Sequence, residues 1–448
     1  MAVFLWKFRF MCLCSGAALL LGGGISAQDQ QGNQSSSAPP IHLTLQDALE
    51  RAKKNSTVFQ ASATDAAIVK QDKYQALTTL LPSVNYNNSA IYTQGNGPGS
   101  TVRFIANNAV HEYVSQANVH QVLDVATFAQ YRAAAAAASA AKAKAEIASR
   151  GLVVTVVQNY YAVLAAQKKL ESATRAAQEG ELFLTLTQDL EHGGEVAHAD
   201  VIKAELQVND RRRLLQETKL AVLNTRLDLA VLIFPNFNDN FDLADDLHAS
   251  VPLPTLAEVQ QRAARDNPDL RAALATVQQS GNNIIASRAG YLPSLSFDYF
   301  YGIDATRFAR RTDGISNLGS SVVGSLNIPV WNWGATQSKV KQAELRKAQA
   351  QRELSLAQRK LLAETQSLFS EAETASAELA SLERSAELAS ESLRLATLRY
   401  KNGETTILEV VDAQNTATLS DAAFQDGAVR YRVALANLQT LTGELTTP

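Results

Sequence analysis

Residues 294–304 read Ser-Leu-Ser-Phe-Asp-Tyr-Phe-Tyr-Gly-Ile-Asp and carry the most informative pattern in the sequence. One face of this segment is apolar or aromatic and consists of Leu295, Phe297, Tyr299, Tyr301 and Ile303. The opposite face includes Ser294, Ser296, Asp298, Gly302 and Asp304. Alternation with a period of two predicts a β-strand that separates an apolar environment from a polar one.

Three further segments alternate in the same way, and we predict strands at about residues 83–94, 112–124, 294–305 and 318–330. Their apolar faces contain Val84, Tyr86, Ala90 and Tyr92 in the first, Tyr113, Ala117, Val119 and Leu123 in the second, and Leu318, Val322, Leu326 and Ile328 in the last. Each strand has about eleven residues, the length of a tilted strand that crosses a bilayer. A soluble sheet with one buried face is the alternative. Four such strands in an exported chain favour a membrane barrel.

The chain is a tandem duplication. Leu81-Pro82-Ser83 is repeated as Leu292-Pro293-Ser294, and Gly194-Glu195 is repeated as Gly403-Glu404. The first pair is separated by 211 residues and the second by 209, so the register holds over most of each half. Internal repeats define the architecture of a chain before any other signal. We predict a first structural repeat at 41–234, a linker at 235–254 and a second repeat at 255–448.

Each repeat ends in a long helical hairpin, predicted at 127–233 and 334–442. At 1.5 Å per residue, a helix of about 65 residues is roughly 100 Å long, far longer than a globular domain allows. Its residues are mostly Ala, Gln, Ser, Glu and Lys, which suit shallow coiled-coil contacts with neighbours on two sides. The fold class is therefore mixed α and transmembrane β, with the helices forming an α-barrel. A solitary coiled coil is the alternative.

The first 27 residues have the layout of a secretory signal peptide. Lys7 and Arg9 precede an apolar run at 10–21, and small residues lead to a cleavage position after Ala27. A membrane anchor is the alternative, but the apolar run is short for a membrane span. Both cysteines and both methionines lie in this peptide, so the mature chain is predicted to have no disulfide and no thiolate metal site. Residues 28–40 are polar and are predicted to be disordered.

Charge and strand number limit the partners. The chain has 41 Lys and Arg against 44 Asp and Glu, a net charge of −3, which excludes a nucleic-acid-binding protein. Four strands cannot close a barrel, because the smallest membrane barrels have eight. Two copies would form a barrel filled by its own side chains, and three copies would leave a lumen. We predict a homotrimer with a shared 12-stranded β-barrel in contact with outer membrane lipids.

The sequence resembles the TolC-like outer membrane efflux proteins over essentially the whole mature chain. The resemblance rests on the duplication, on the two Leu-Pro-Ser junctions and on residues 399–414, which read Arg-Tyr-Lys-Asn-Gly-Glu-Thr-Thr-Ile-Leu-Glu-Val-Val-Asp-Ala-Gln. It implies a passive channel with a long periplasmic extension, in a tripartite efflux or type I secretion system. The implied partners are a periplasmic adaptor (membrane fusion protein) and an inner-membrane pump of the RND, ABC or MFS type.

The far ends of the hairpins contain the candidate site residues. Gly193, Gly194 and Gly403 mark the tip turns, while Glu409 and Asp412 are three apart and share one helix face. In a threefold assembly each acid would form a ring of three carboxylates that attracts cations. Charge patterning alone favours a solvated acidic helix face. The resemblance favours the rings, because family members narrow the periplasmic aperture with acids at these two positions.

The resemblance also implies a contact that holds the tips together. Tyr400 and Asp200 occupy the positions of a hydroxyl–carboxylate hydrogen bond between the two hairpins. Thr405 stands where the family has an arginine two residues past the turn glycine, so the ion pair of that arginine has no counterpart here.

Two other protein classes fit the sequence less well. A periplasmic adaptor would have one long hairpin flanked by soluble β-domains, and the duplicated strand pairs argue against it. An exported enzyme would need a catalytic motif, but the chain has no phosphate-binding loop and no nucleophile elbow, and no cofactor is predicted. His192, His198 and Asp200 cluster at the first tip turn, but their spacing does not predict a metal site.

Overall fold

The computed structural model describes most of the two repeats, namely residues 41–92, 111–235, 240–247, 252–305 and 317–445. The predicted signal peptide, the predicted disordered segment at 28–40 and parts of the predicted linker lie outside these ranges.

Helices and strands follow one another in the same order in both repeats. In the first repeat the elements are β1 (Ile41–Leu43), α1 (Leu45–Asn55), α2 (Thr57–Thr78), β2 (Ser83–Tyr92), β3 (His111–Leu123), α3 (Val125–His192) and α4 (His198–Ile233). In the second repeat they are β4 (Phe241–Leu243), α5 (Leu256–Asp266), α6 (Pro268–Arg288), β5 (Ser294–Ala305), β6 (Leu318–Asn327), α7 (Ala335–Lys401) and α8 (Ile407–Thr442).

The first helix of each repeat begins with the same capping motif. The Thr44 hydroxyl accepts a hydrogen bond from the backbone amide of Asp47, and the Asp47 carboxylate accepts one from the backbone amide of Thr44. Thr255 and Glu258 repeat this arrangement at the start of α5. Such a capping box satisfies two amides that have no partner within the helix. The duplication therefore includes the local chemistry that starts the helices.

The helices before the strands end earlier than predicted. The sequence suggests that they stop at Pro82 and Pro293, whereas α2 ends at Thr78 and α6 at Arg288. A short 3₁₀ turn at Ala289–Tyr291 connects α6 to its strand. A proline disfavours helical backbone at the residue before it, so the helix ends upstream of the proline.

The four long strands form one antiparallel sheet in the order β2-β3-β5-β6. Tyr299 lies opposite Val119 on β3 and Val322 on β6, and Val119 in turn lies opposite Val84 on β2. The predicted apolar faces of all four strands therefore lie on the same side of the sheet. Several of their side chains are exposed, including Val84 at 70%, Tyr86 at 66% and Val322 at 71%.

The last strand is shorter than predicted. It ends at Asn327 instead of about residue 330. Pro329 has no amide hydrogen and cannot extend a hydrogen-bonded ladder.

The long helices pack through small residues at heptad spacing. The buried residues near the start of α3 are Ala129, Ala133, Ala136, Ala140 and Ala143. In α7 the buried positions recur every seven residues at Thr336, Ala343 and Ala350, and again at Ala389 and Ala396. A seven-residue repeat is the signature of coiled-coil packing. Small side chains at these positions bring the helix backbones close together.

The predicted linker contains a segment that packs into the core. Within residues 235–254, Phe241 is 0% exposed and Leu247 is 1% exposed. The strand β4 pairs in parallel with β1, and the Tyr160 hydroxyl of α3 donates to the Ala244 carbonyl at 2.8 Å. Burial of two large apolar side chains and a backbone ladder hold the segment in the core.

Among the described helices, none has a sufficiently long and apolar stretch to span a membrane.

Candidate functional site

Two tight turns connect the paired long helices. At the first, Gly194 has φ +77° and the Glu195 amide donates to the Leu190 carbonyl at 2.9 Å. At the second, Gly403 has φ +72° and the Glu404 amide donates to the Arg399 carbonyl at 2.8 Å. Both are Schellman-type helix ends, in which a left-handed residue lets the chain reverse. Gly194 and Gly403 are the residues that supply this conformation.

Gly193 has a different role from the other two tip glycines. Its φ is −72°, an ordinary right-handed helical value that most residues adopt. The predicted set of three turn glycines therefore contains two positions that require glycine and one that does not.

A small apolar cluster joins the two hairpins behind the turns. Its buried members are Phe183, Ala204, Ala396, Tyr400, Ile407, Val410 and Ala413. The Tyr400 ring is 3% exposed and lies 5.1 Å from the Phe183 ring, centroid to centroid. Tyr400 on α7 and Phe183 on α3 thus hold the second hairpin against the first by packing.

The Tyr400 hydroxyl does not make the predicted hydrogen bond to Asp200. Within the described residues the buried Tyr400 hydroxyl has no hydrogen-bond partner. Asp200 instead lies near a cation, with its carboxylate 3.8 Å from Lys203 Nζ. Burial raises the pKa of Tyr400, and the negative charge of the Asp200 carboxylate adds to this rise. The ring is directed onto Phe183, so in this single chain the tip contact is apolar and the hydroxyl is left unpaired.

Glu409 is paired within its own hairpin. Arg399 Nη1 lies 2.6 Å from Glu409 Oε1, and the Thr405 hydroxyl donates to the other carboxylate oxygen. All three residues border the Gly403 turn, so they form a clasp between the end of α7 and the start of α8. Thr405, the residue that stands where the family has an arginine, therefore makes its hydrogen bond within its own hairpin.

Asp412 is in a different environment from Glu409. Its side chain is exposed, and within the described residues no ion pair or hydrogen bond is found for it. An unpaired carboxylate keeps its full negative charge and attracts cations more strongly than a paired one. The two predicted acidic positions are thus unequal, with Asp412 carrying the uncompensated charge.

The first tip turn is bridged by a side-chain hydrogen bond. His198 Nδ1 lies 2.7 Å from Glu191 Oε1, which connects the two sides of that turn. Within the described ranges, no group of three or more His, Cys, Asp or Glu side chains is arranged to hold a metal ion.

A buried polar contact between the hairpins was not predicted from the sequence. Arg211 of α4 is 6% exposed and donates to Thr418 Oγ1 at 2.8 Å and Asn415 Oδ1 at 2.9 Å, both on α8. Desolvation lowers the pKa of Arg211, and the charges of Asp210 and Glu179 oppose this. Within three consecutive arginines at 211–213, composition cannot show which one is buried. One feature of the sequence hinted at the buried contact. Gly180 is a glycine inside a long helix, and Arg211 packs over it.

Comparison with known proteins finds relatives of one kind. The family model described as "Outer membrane efflux protein" matches residues 259–444. The chain is 25% identical over 417 residues to the proteases secretion protein PrtF of Dickeya chrysanthemi, covering 90% of this chain and 88% of that protein. It is 26% identical over 313 residues to the outer membrane protein TolC of Vibrio cholerae, covering 65% and 66% of the two chains.

The fold also has solved counterparts. The crystal structure of the outer membrane protein VceC of Vibrio cholerae superimposes with a TM-score of 0.77 at 17% identity, covering 89% of this chain and 96% of that one. At this identity the likeness concerns the fold, and the resemblance inferred from the residues is confirmed by the family match and the full-length relative. The resemblance is to the TolC-like outer membrane efflux proteins, a family of channels, and the chain is a protein of the outer membrane.

Proposed function

We propose that three copies of the chain assemble into a passive export channel that crosses the outer membrane and extends into the periplasm. The observation that carries this proposal is the open sheet. Within the described residues, β2 and β6 are edge strands, each paired on one side only. Backbone groups at an open edge cannot be satisfied in hydrocarbon. Pairing β6 of one copy with β2 of the next supplies the missing hydrogen bonds, and three copies give twelve strands.

The helical part supports the same assembly. The helix α2 has 22 residues and no buried residue in this single chain. Its large apolar side chains are exposed, with Val58 at 71%, Ile68 at 53% and Tyr74 at 62%. A helix whose apolar side chains remain exposed in its own chain is suited to pack against a neighbouring copy.

The sheet provides a lining for the channel. The polar face carries Asp298 of β5, whose carboxylate lies 2.7 Å from His120 Nδ1 of β3 and accepts the Asn118 amide at 3.4 Å. A polar inner face and an apolar outer face are the arrangement of a membrane barrel with a wet interior. The apolar face, with Tyr299 and Val322, then contacts outer membrane lipids.

At the other end, the hairpin tips serve as the aperture. We assign the cation-attracting ring to Asp412 and a positioning role to the Arg399–Glu409–Thr405 clasp. The Tyr400–Phe183 contact holds the second hairpin against the first, and opening requires this contact to separate. The channel performs no chemistry of its own in this proposal.

Energy must then come from partners. We infer that a periplasmic adaptor engages the helical part and that an inner-membrane pump supplies the substrate, in a tripartite efflux or type I secretion system. The name of the relative PrtF refers to the secretion of proteases, which favours polypeptides among the possible cargoes.

Reconstitution tests the channel directly. Detergent-extracted protein should migrate as a heat-sensitive trimer on gels and produce discrete conductance steps in planar bilayers. A monomer by analytical ultracentrifugation that never permeabilises liposomes would exclude the channel. A periplasmic adaptor would behave in this second way, so the experiment also separates the two classes.

A further inference from the structure

We propose that the protein has a binding site for phosphate groups on the outer surface of its helical wall, next to the membrane-spanning sheet. The site is a concavity of about 720 Å³ over α6, bordered by α3 and α7. Three cationic side chains line it, namely Arg132, Arg288 and Lys347. Ser139, Gln278 and Asn282 add hydrogen-bonding groups, and the lining contains no acid.

The positive charge of this concavity is largely uncompensated. Within the described residues, Arg132 and Lys347 have no ion pair; Arg132 stacks over the Phe128 ring at 4.8 Å, which leaves the edge of its guanidinium available. Arg288 lies 3.0 Å from Glu344, in an exposed pair of the kind that contributes little to stability. Planar guanidinium groups bind phosphate oxygens through two parallel hydrogen bonds.

A neighbouring groove extends the basic surface. It lies between α2 and α3, has a volume of about 360 Å³ and shares Ala135 and Ser139 with the first concavity. Its cations are Lys70, Lys73 and Lys142, and again no acid lines it. Six cations on one surface are a strong local departure from a net charge of −3 over the whole chain. Clusters of four to eight Lys and Arg residues beside a membrane are typical of sites for anionic headgroups.

The helix directions bring the three main cations together. The helices α3 and α7 start at the sheet and run away from it, whereas α6 runs towards it. Side chains on a helix lean towards its N-terminus. Arg132 and Lys347 therefore lean towards the sheet while Arg288 leans away from it, and all three side chains line the same concavity.

The concavity lies on the apolar side of the sheet. A second concavity of about 600 Å³ contains Ser294 and Asn327 of the polar sheet face together with Asn283 and Ser287 of α6. The first contains Gly281 and Ile285, each two positions before those α6 residues, which is about 200° around the helix. The two concavities are on opposite faces of α6. This placement on the outer wall rests on the proposed channel, in which the polar sheet face is the lumen.

The depth of the site allows two sources of phosphate. Arg132 is nine residues beyond the end of β3, or about 14 Å along α3, and Lys347 lies about 20 Å along α7. Headgroups occupy about 5–7 Å on each side of the hydrocarbon core. The upper part of the site is therefore close to phospholipid headgroups, and the lower part is open to soluble phosphate. The shared chemistry is a phosphate oxyanion.

The experiment uses the full-length, detergent-solubilised protein. Its thermal unfolding and its bound mass by native mass spectrometry are measured with dihexanoyl-phosphatidylglycerol, with inorganic phosphate, and with sodium chloride at matched ionic strength. The test variant combines Arg132→Gln and Lys347→Gln. The control combines Arg359→Gln and Lys360→Gln, two exposed positions further along α7 with the same change in charge.

We expect phosphate-containing ligand to raise the unfolding temperature of the wild type and of the control, with binding to the test variant at least tenfold weaker. Stabilisation by the lipid alone assigns the site to headgroups, and stabilisation by both ligands shows that free phosphate suffices. No stabilisation beyond chloride, or equal stabilisation of the test variant, overturns the site. The bilayer conductance of the test variant should equal that of the wild type, so loss of binding is distinguished from failure of the channel.

Discussion

Arg399 and Glu409 form a 2.6 Å ion pair across the Gly403 turn, with Arg399 in the last turn of α7 and Glu409 in the first turn of α8. Both side chains are about half exposed, so the pair adds little to stability. The ion pair instead changes the electrostatics of the candidate aperture, because the positive charge of Arg399 compensates the negative charge of Glu409, one of its two acids. The other acid, Asp412, keeps its charge.

The two acids should therefore respond differently to substitution. Asp412→Asn should remove most of the block of single-channel current by multivalent cations, whereas Glu409→Gln should change it less than Asp412→Asn. Arg399→Gln is the matched control, since it frees Glu409 and should strengthen the block. Titration of the block in planar bilayers measures all three. An equal loss in the two acid variants would contradict the unequal roles.

Removal of the Tyr400 hydroxyl should leave the closed channel unchanged. Because the hydroxyl is buried without a hydrogen bond, Tyr400→Phe should keep the wild-type conductance and be neutral or slightly stabilising. Tyr400→Ala removes the ring that packs on Phe183 and should lower the free energy of unfolding by about 3 kcal/mol. It should also raise the conductance. A large conductance increase in Tyr400→Phe would show that the hydroxyl bonds across the tip in the assembled protein.

Two glycines that face each other in the sheet should differ sharply. Gly302 of β5 lies opposite Gly319 of β6. A Cβ atom on Gly302 would lie 2.2 Å from the Ser115 carbonyl oxygen, whereas one on Gly319 would have no atom within 4 Å. Because backbone cannot move aside as a flexible side chain can, Gly302→Ala should reduce the yield of heat-sensitive trimer, and Gly319→Ala should not. Equal yields would show that the sheet relaxes at this position.

Two neighbouring aspartates should contribute unequally to stability. Asp246 pairs with Arg432, which is 8% exposed, and accepts the Tyr161 hydroxyl at 3.1 Å. Burial raises the pKa of Tyr161 to about 12, so this hydroxyl remains a donor over the working pH range. Asp246→Asn leaves the buried arginine without its partner charge and should lower the free energy of unfolding by about 3 kcal/mol.

Asp245 serves as the control for Asp246. It pairs with Lys168 at 2.9 Å, and both side chains are partly exposed, so Asp245→Asn should change the free energy of unfolding by less than about 1 kcal/mol. Denaturant unfolding of the solubilised protein measures both variants. Similar losses in the two variants would mean that the segment around β4 is held by packing alone.

The strand faces were predictable because alternation is a local property. Each apolar set, such as Leu295 to Ile303, can be read from its own segment, and the register then aligns the sets on one side. The ends of elements depend on backbone chemistry that a pattern shows less clearly, as at Pro329. The burial of Phe241 was missed because its acidic neighbours Asp239 and Asp242 dominate the local composition.

Contacts between distant segments were the least predictable part of the candidate site. The pairing of Glu409 with Arg399 depends on how the Gly403 turn brings two helix ends together, and Arg211 meets Asn415 across 204 residues. Neither contact leaves a spacing signal in the sequence. The position of Glu409 was identifiable, whereas its partner and the burial of Arg211 required the geometry.

The unpaired edges of β2 and β6 have a genetic consequence. Because every chain supplies both edges, one defective copy interrupts the wall on two sides, and its healthy neighbours cannot compensate. If two alleles are expressed equally and mix at random, only roughly one trimer in eight is free of the defective product. Alleles that damage an edge while leaving the opposite edge competent should therefore behave as dominant inhibitors, and complete deletion of the gene should be recessive.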